Sequence, residues 1–175
     1  MNTAPPMHFS FLMMPEYTLS AFSNAVGILR MANRLSGRNL YSWSLHSLDG
    51  ESVKSSADLE LAIEGSIDDT KNANILMVCG GYSVKDHCTK ELIEGLKKCS
   101  KRKIPMGGIC TGSYALASAG LLDGYKCTIH WENIASFREE YPSLDISSGL
   151  FVIDRDRYTC SGAVSYTHLR AHETS

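Results

Sequence analysis

The sequence predicts an α/β protein: a doubly wound, mainly parallel sheet flanked by helices, with a nucleophile-elbow turn at its centre. Three observations carry this. Apolar strand-like runs alternate with helix-period segments along most of the chain, the pattern of βαβ units with right-handed crossovers. Residues 73–79 are almost continuously apolar, as a strand buried on both faces requires. Residues 103–120 take a short apolar strand straight into a helix, with Cys110 at the corner.

The elements follow in order. Residues 7–14 read as a buried first strand ended by Pro15, and Leu19, Phe22, Val26 and Leu29 recur at helical spacing in a first helix reaching about Leu35. Residues 40–48 alternate as a strand does and stop at the turn Asp49-Gly50, and residues 59–63 form another short alternating piece. Gly80-Gly81 follows the central strand at once, after which Val84, Cys88, Leu92, Leu96 and Cys99 mark one face of a helix. Beyond Cys110 a helix runs to about Leu122 and the turn Asp123-Gly124. Residues 127–129 lead to His130-Trp131 and a helix through Tyr141. Residues 150–154 and 158–160 make a late hairpin around Arg155-Asp156. Gly80-Gly81, Cys110 and His130 are thus expected at the carboxyl ends of strands, where open α/β sheets bind ligands. Residues 163–175 show neither period nor apolar face. The expectation is one domain over 1–162, incomplete at its C-terminus, followed by an unstructured or foreign tail over 163–175.

With 175 residues and a formal net charge of −2, the chain is long enough for one well-packed core. Its basic residues cluster at Lys97-Lys98 and Lys101-Arg102-Lys103 and read as the solvated end of a helix, which argues against nucleic-acid binding by this chain itself. The six cysteines are widely spaced, without a C-x-x-C pair or a Cys/His cluster. No metal site, disulfide framework or cofactor is expected, and a reducing, cytoplasmic compartment fits. Neither a signal peptide nor a membrane-length apolar run is present.

Chemistry centres on Gly108-Ile-Cys-Thr-Gly112, which has the layout of a G-x-S-x-G elbow with sulfur in place of oxygen. So abrupt a reversal forces the corner residue into a strained conformation, and the flanking glycines remove Cβ atoms that would clash. The helix that follows aims its first N–H groups at the sulfur, which favours thiolate. A working cysteine hydrolase also needs a base, oxyanion donors and a carboxylate. His130, twenty residues on, is the obvious imidazole, and Glu132 is the nearest carboxylate in sequence. Thr111 and Gly80-Gly81 could supply N–H donors. The same turn can equally hold a ligand without reacting, and a third possibility is redox sensing through a sulfenic acid at Cys110.

Together these residues resemble the PfpI-type branch of the class I glutamine amidotransferase-like superfamily, whose fold is flavodoxin-like. They are most similar to the sensory domain of AraC-type transcriptional regulators. The resemblance rests on Phe11-Leu-Met-Met-Pro15, Val78-Cys-Gly-Gly81, Gly107-Gly-Ile-Cys-Thr-Gly-Ser113, Ala119-Gly-Leu-Leu-Asp-Gly124, Thr128-Ile-His-Trp131 and Phe151-Val-Ile-Asp154. It implies a metabolite bound by Gly80, Gly81, Cys110, Thr111, His130 and Trp131, a homodimer, and DNA binding only through a helix-turn-helix domain absent from this chain. It also implies no membrane partner. Regulators of this branch suggest a quaternary amine or amino-acid derivative as ligand, for which Trp131 could form one wall of an aromatic cage, with Trp43 and Tyr82 as further candidates. Enzymes of the superfamily carry an acidic residue early in the first helix, and Ala21 stands at that position here. The alternative, a cysteine-dependent hydrolase, amidase or glyoxalase-like enzyme using Cys110 and His130, is weakened accordingly. Glu16 stands where the regulators usually have glycine.

Overall fold

The computed structural model describes residues 5–162; the tail expected over 163–175 lies outside the described residues. In chain order the elements are β1 (Met7–Met13), α1 (Leu19–Ser36), β2 (Tyr41–Ser47), β3 (Val53–Lys54), β4 (Glu60–Leu61), β5 (Gly65–Ser66) and a 3-10 helix (Ile67–Asn72). Then come β6 (Ile75–Cys79), α2 (Lys90–Lys101), β7 (Met106–Ile109), α3 (Gly112–Ser118), β8 (Lys126–Cys127), a 3-10 turn (Trp131–Asn133) and α4 (Ile134–Glu140). β9 (Asp145–Ile146), β10 (Phe151–Asp154) and β11 (Arg157–Cys160) complete the described chain.

Seven strands form the main sheet in the order β10-β11-β7-β6-β1-β2-β5. Every pairing is parallel except β10 with β11. From β1 the chain winds first towards β2 and β5, then returns to the other side through β6, β7 and β11. The reversal falls between β1 and β6, and their carboxyl ends open a crevice there.

Side chains of β1 alternate between two cores, as the twofold repeat of a strand dictates. Phe11 and Met13 join Tyr17, Phe22, Ile109 and Cys110 beneath α1. Leu12 joins Leu76, Leu92, Leu96, Leu116 and Phe137 on the face covered by α2, α3 and α4. α1 ends at Gly37 (φ 63°), whose N–H bonds the Arg34 carbonyl. Only a glycine takes that left-handed cap without strain.

Two expectations need correcting, the start of the second helix and the strand before His130; the piece at 59–63 is a strand as expected. The helix expected from Val84 starts instead at Lys90, where Thr89 caps it by accepting the Leu92 N–H at 3.3 Å. Val84 and Cys88 are apolar because they pack against the same core from a turn. The alternating piece at 59–63 pairs with β3 in a separate antiparallel ribbon and stands outside the main sheet. β8 likewise pairs only with β9, so His130 follows a strand that is not part of the central sheet.

Candidate functional site

β7 delivers Cys110 to the corner. Its φ is 59°, the left-handed region that costs a side-chain-bearing residue about 1–2 kcal/mol. The elbow closes because Gly112 lets α3 start against the neighbouring strand: a Cβ there would lie 2.0 Å from the Val78 carbonyl oxygen. Gly81 makes a matching approach across the crevice, where a Cβ would stand 1.8 Å from the Glu16 carbonyl oxygen.

Hydrogen bonds tie the three loops together. The Thr111 hydroxyl donates to the Gly81 carbonyl at 2.7 Å, the Thr18 N–H to the Gly80 carbonyl at 3.1 Å, and the Gly80 N–H to the Ile109 carbonyl at 3.2 Å. The Gly80 N–H is therefore committed to the sheet, which takes it out of the pair of oxyanion donors considered above. The Thr111 N–H faces the Cys110 sulfur.

Cys110 is 5% exposed, and its sulfur shares a hydrogen bond with the Thr18 hydroxyl at 3.3 Å. Burial pushes the thiol above its ordinary range. The Thr18 hydroxyl and the Thr111 N–H pull the other way, while Cys160 and Glu132 add to the rise. Cys79 and Cys160 end the strands on either side, each in register with Ile109. Burial pushes both of those thiols up as well.

His130 reaches the elbow through its backbone, its N–H donating to the Cys110 carbonyl at 3.2 Å. Its Nδ1 stands 3.8 Å from Glu132 Oε2. Burial lowers the imidazole below its ordinary value, and Glu132 partly counters that. Trp131 is 53% exposed and lies tilted against the His130 ring with centroids 5.8 Å apart. Hydrogen bonds thus bring the backbones of Gly80, Gly81, Cys110, Thr111 and His130 together, and Trp131 stands beside the His130 ring. Trp43 does not join them: it pairs with Phe9 well back along the sheet and packs in the core beneath α1.

Thr18 is the neighbour that sequence reasoning passed over. It occupies the N-cap position of α1, and a threonine just before the first apolar-periodic residue is a legible start signal. Ala21, one turn further on, is buried in the same cluster as Cys110, with no carboxylate to offer. Ala21, Ile109, Cys160 and Gly162 also line an apolar cavity of about 760 Å³ running out between α1 and β10. Among the described residues no cluster of His, Cys, Asp and Glu is placed to hold a metal ion, and no helix is long and apolar enough to cross a membrane.

Comparison with known proteins supplies a second line of evidence. The family model described as "DJ-1/PfpI family" matches residues 21–168. The HTH-type transcriptional regulator GbdR of Pseudomonas aeruginosa is 40% identical over 167 residues, an alignment covering 95% of this chain and 46% of that protein. The HTH-type transcriptional regulator CdhR of the same species is 38% identical over 157 residues, covering 90% and 46%. The chain spans about half the length of the curated relatives it matches. A crystal structure of an AraC family transcriptional regulator from Pseudomonas putida superposes with a TM-score of 0.80 at 33% identity, covering 90% of this chain and 84% of that one.

Proposed function

The chain belongs to the DJ-1/PfpI family, and from that premise we propose that it is the ligand-sensing domain of a bacterial AraC-type transcriptional regulator. Its site is the crevice between Gly80-Gly81, Cys110-Thr111 and His130-Trp131. The identity to two HTH-type regulators across nearly the whole chain supports the regulatory reading. The observation that carries binding over catalysis is the state of Cys110. The Thr18 hydroxyl hydrogen-bonded to its sulfur favours thiolate, but burial outweighs it and favours the neutral thiol, a lining group and a poor nucleophile at neutral pH. The ligand is a small metabolite of the quaternary-amine or amino-acid type, with the exposed Trp131 ring as a surface for its cationic head. DNA is contacted through a separate helix-turn-helix domain, the working assembly is a homodimer, and the protein acts in the cytoplasm.

A second reading, a cysteine-dependent hydrolase, draws on the His130–Glu132 pair beside the elbow. Calorimetric titration separates the two. The chain is titrated with glycine betaine and carnitine, with leucine as the neutral-side-chain control. Saturable binding of an amine that is recovered unchanged, retained in Cys110→Ser and lost in Trp131→Ala, supports the sensor. Turnover of an ester or amide probe that disappears in Cys110→Ser moves the assignment to the enzyme.

A further inference from the structure

On the sheet face opposite α1, β1 and β2 carry polar residues where a core would ordinarily be apolar. His8 and Ser10 of β1 stand in register with Ser42 and Ser44 of β2, and Leu12 with His46. Ser10, Ser44 and His46 are buried, while His8 and Ser42 are half-buried. Four contacts link them in a line: Ser42 Oγ to His8 Nδ1 at 2.9 Å, His8 Nε2 to Ser44 Oγ at 2.8 Å, Ser44 Oγ to His46 Nε2 at 2.8 Å, and His46 Nδ1 to the Ser66 carbonyl at 3.1 Å.

One end of this line fixes the direction of the rest. The Ser66 carbonyl can only accept, so His46 donates from Nδ1, and its Nε2, neutral, must accept. Ser44 therefore donates to His46 and accepts from His8 Nε2–H. That leaves His8 Nδ1 to accept from Ser42. The Ser66 end is itself held in place. Ser66 caps the 3-10 helix, and Asp69 closes its capping box by accepting the Ser66 N–H at 2.8 Å and its hydroxyl at 2.9 Å.

We propose that His8, Ser44 and His46 form a proton relay that makes the β2–β5 edge of the sheet, and the 3-10 helix capped at Ser66, an acid-sensitive latch. A proton from solvent binds His8 Nδ1. His8 passes its Nε2 proton to Ser44, and Ser44 passes its own to His46 Nε2. One proton has been taken up and no electrons have moved. The three bonds that join Ser42, His8, Ser44 and His46 have reversed, with the Ser42 hydroxyl turning outward, while His46 Nδ1–H still donates to the Ser66 carbonyl. The charge now sits on buried His46. The groups facing it are Glu64 from the segment before β5, Asp69 from the 3-10 helix and His8 from β1. Burial dominates the cost and the two carboxylates offset part of it, while His8, neutral once its proton has been passed on, adds repulsion only if it takes up a second proton.

The latch has a route to the crevice. The ribbon that follows β2 bonds the loop before α1, with the Glu16 N–H on the Lys54 carbonyl and the Ser56 N–H on the Tyr17 carbonyl, both at 2.9 Å. Loosening β2 and β5 therefore slackens the segment that presents Thr18 to Cys110.

The sign follows from linkage. A histidine whose native value lies below the ordinary one, about 6.5, is fully stabilising above that pH. Its contribution is lost as pH falls towards the native value. The test is amide hydrogen exchange of the full chain from pH 7.5 to 5, corrected for intrinsic rates, together with nitrogen NMR of the two imidazoles. The expected result is His46 protonated on Nδ1 and His8 on Nε2 at pH 7.5. Below pH 6.5, exchange at residues 66–70 should accelerate by up to about tenfold per pH unit. His46→Asn, which keeps a donor near Nδ1, should flatten that dependence, and Ser44→Ala offers an independent break in the line. His46 found on the Nε2 tautomer, or the same acid acceleration in His46→Asn or Ser44→Ala as in the parent, would overturn the proposal.

Discussion

Cys110 carries two opposed demands. The turn holds it at φ 59° with helix N–H groups nearby, which favours thiolate, while 95% burial against Ala21, Ile109 and Gly162 favours thiol. Burial is the larger influence, so iodoacetamide should alkylate Cys110 at pH 7 more slowly than a free thiol of pKa about 8.5. Thr18→Val, which removes a bond that favours the thiolate, should slow it further; faster labelling in that variant would contradict this account. Glu16 illustrates a different residue-scale cost. It sits at φ 59°, a backbone region that glycine adopts without strain and a side-chain-bearing residue does not. Its exposed carboxylate stands 3.9 Å from His87 Nε2, a distance at which a surface pair contributes little. Relief of about 1–2 kcal/mol of left-handed strain, less about 0.5–1 kcal/mol for the freedom glycine gains when unfolded, leaves Glu16→Gly more stable by about 0.75 kcal/mol at the middle of both ranges. Thermal unfolding should show the midpoint rising by about 1.5–3 °C.

Among the elements, the elbow is a packing solution before it is a chemical one. α3 can begin immediately after Cys110 only because Gly112 rests on the Val78 carbonyl. Gly112→Ala should therefore cost on the order of 3 kcal/mol or more, since the obstacle is backbone and cannot swing away. Denaturant unfolding against the parent measures this, and a loss below about 1 kcal/mol would mean that the turn relaxes. The helices were readable where one face is apolar throughout, as α1 and most of α2 are. The start of α2 was not, because Val84 and Cys88 continue the apolar spacing from a turn that happens to lie over the same core. The small pairings β3–β4 and β8–β9 were not legible either. Two-residue strands have no period to read, and their partners are chosen by contacts distant in sequence.

At the scale of the whole molecule, the described fold leaves one large apolar opening. Ile28 (70% exposed), Phe151 (69%) and Leu150 (51%) rim the cavity between α1 and the edge strand β10. Buried apolar surface is the main source of stability, so residues 1–162 expressed alone should melt near or below the low end of the mesophilic range, about 45 °C, and bind a hydrophobic dye. A cooperative calorimetric transition well above that, without dye binding, would refute the expectation. Much else was determined locally. The alternation of strand and helix, the Gly-x-Cys-x-Gly corner and the convergence of Gly80-Gly81 on it follow from residue type and spacing, because period and steric permission are properties of short segments. Which groups touch the sulfur was decided only by the tertiary structure. Thr18, whose hydroxyl meets the sulfur, lies 92 residues from Cys110, and His130, whose N–H meets the Cys110 carbonyl, arrives by way of a strand outside the central sheet. The same holds for the line from Ser42 to Ser66, which exists because β1 and β2 pair in one register and place two unrelated histidines on one serine. Spacing along a chain constrains what a segment can become. Long-range packing chooses its neighbours, and the protonation and reactivity of a buried thiol or imidazole depend on those neighbours.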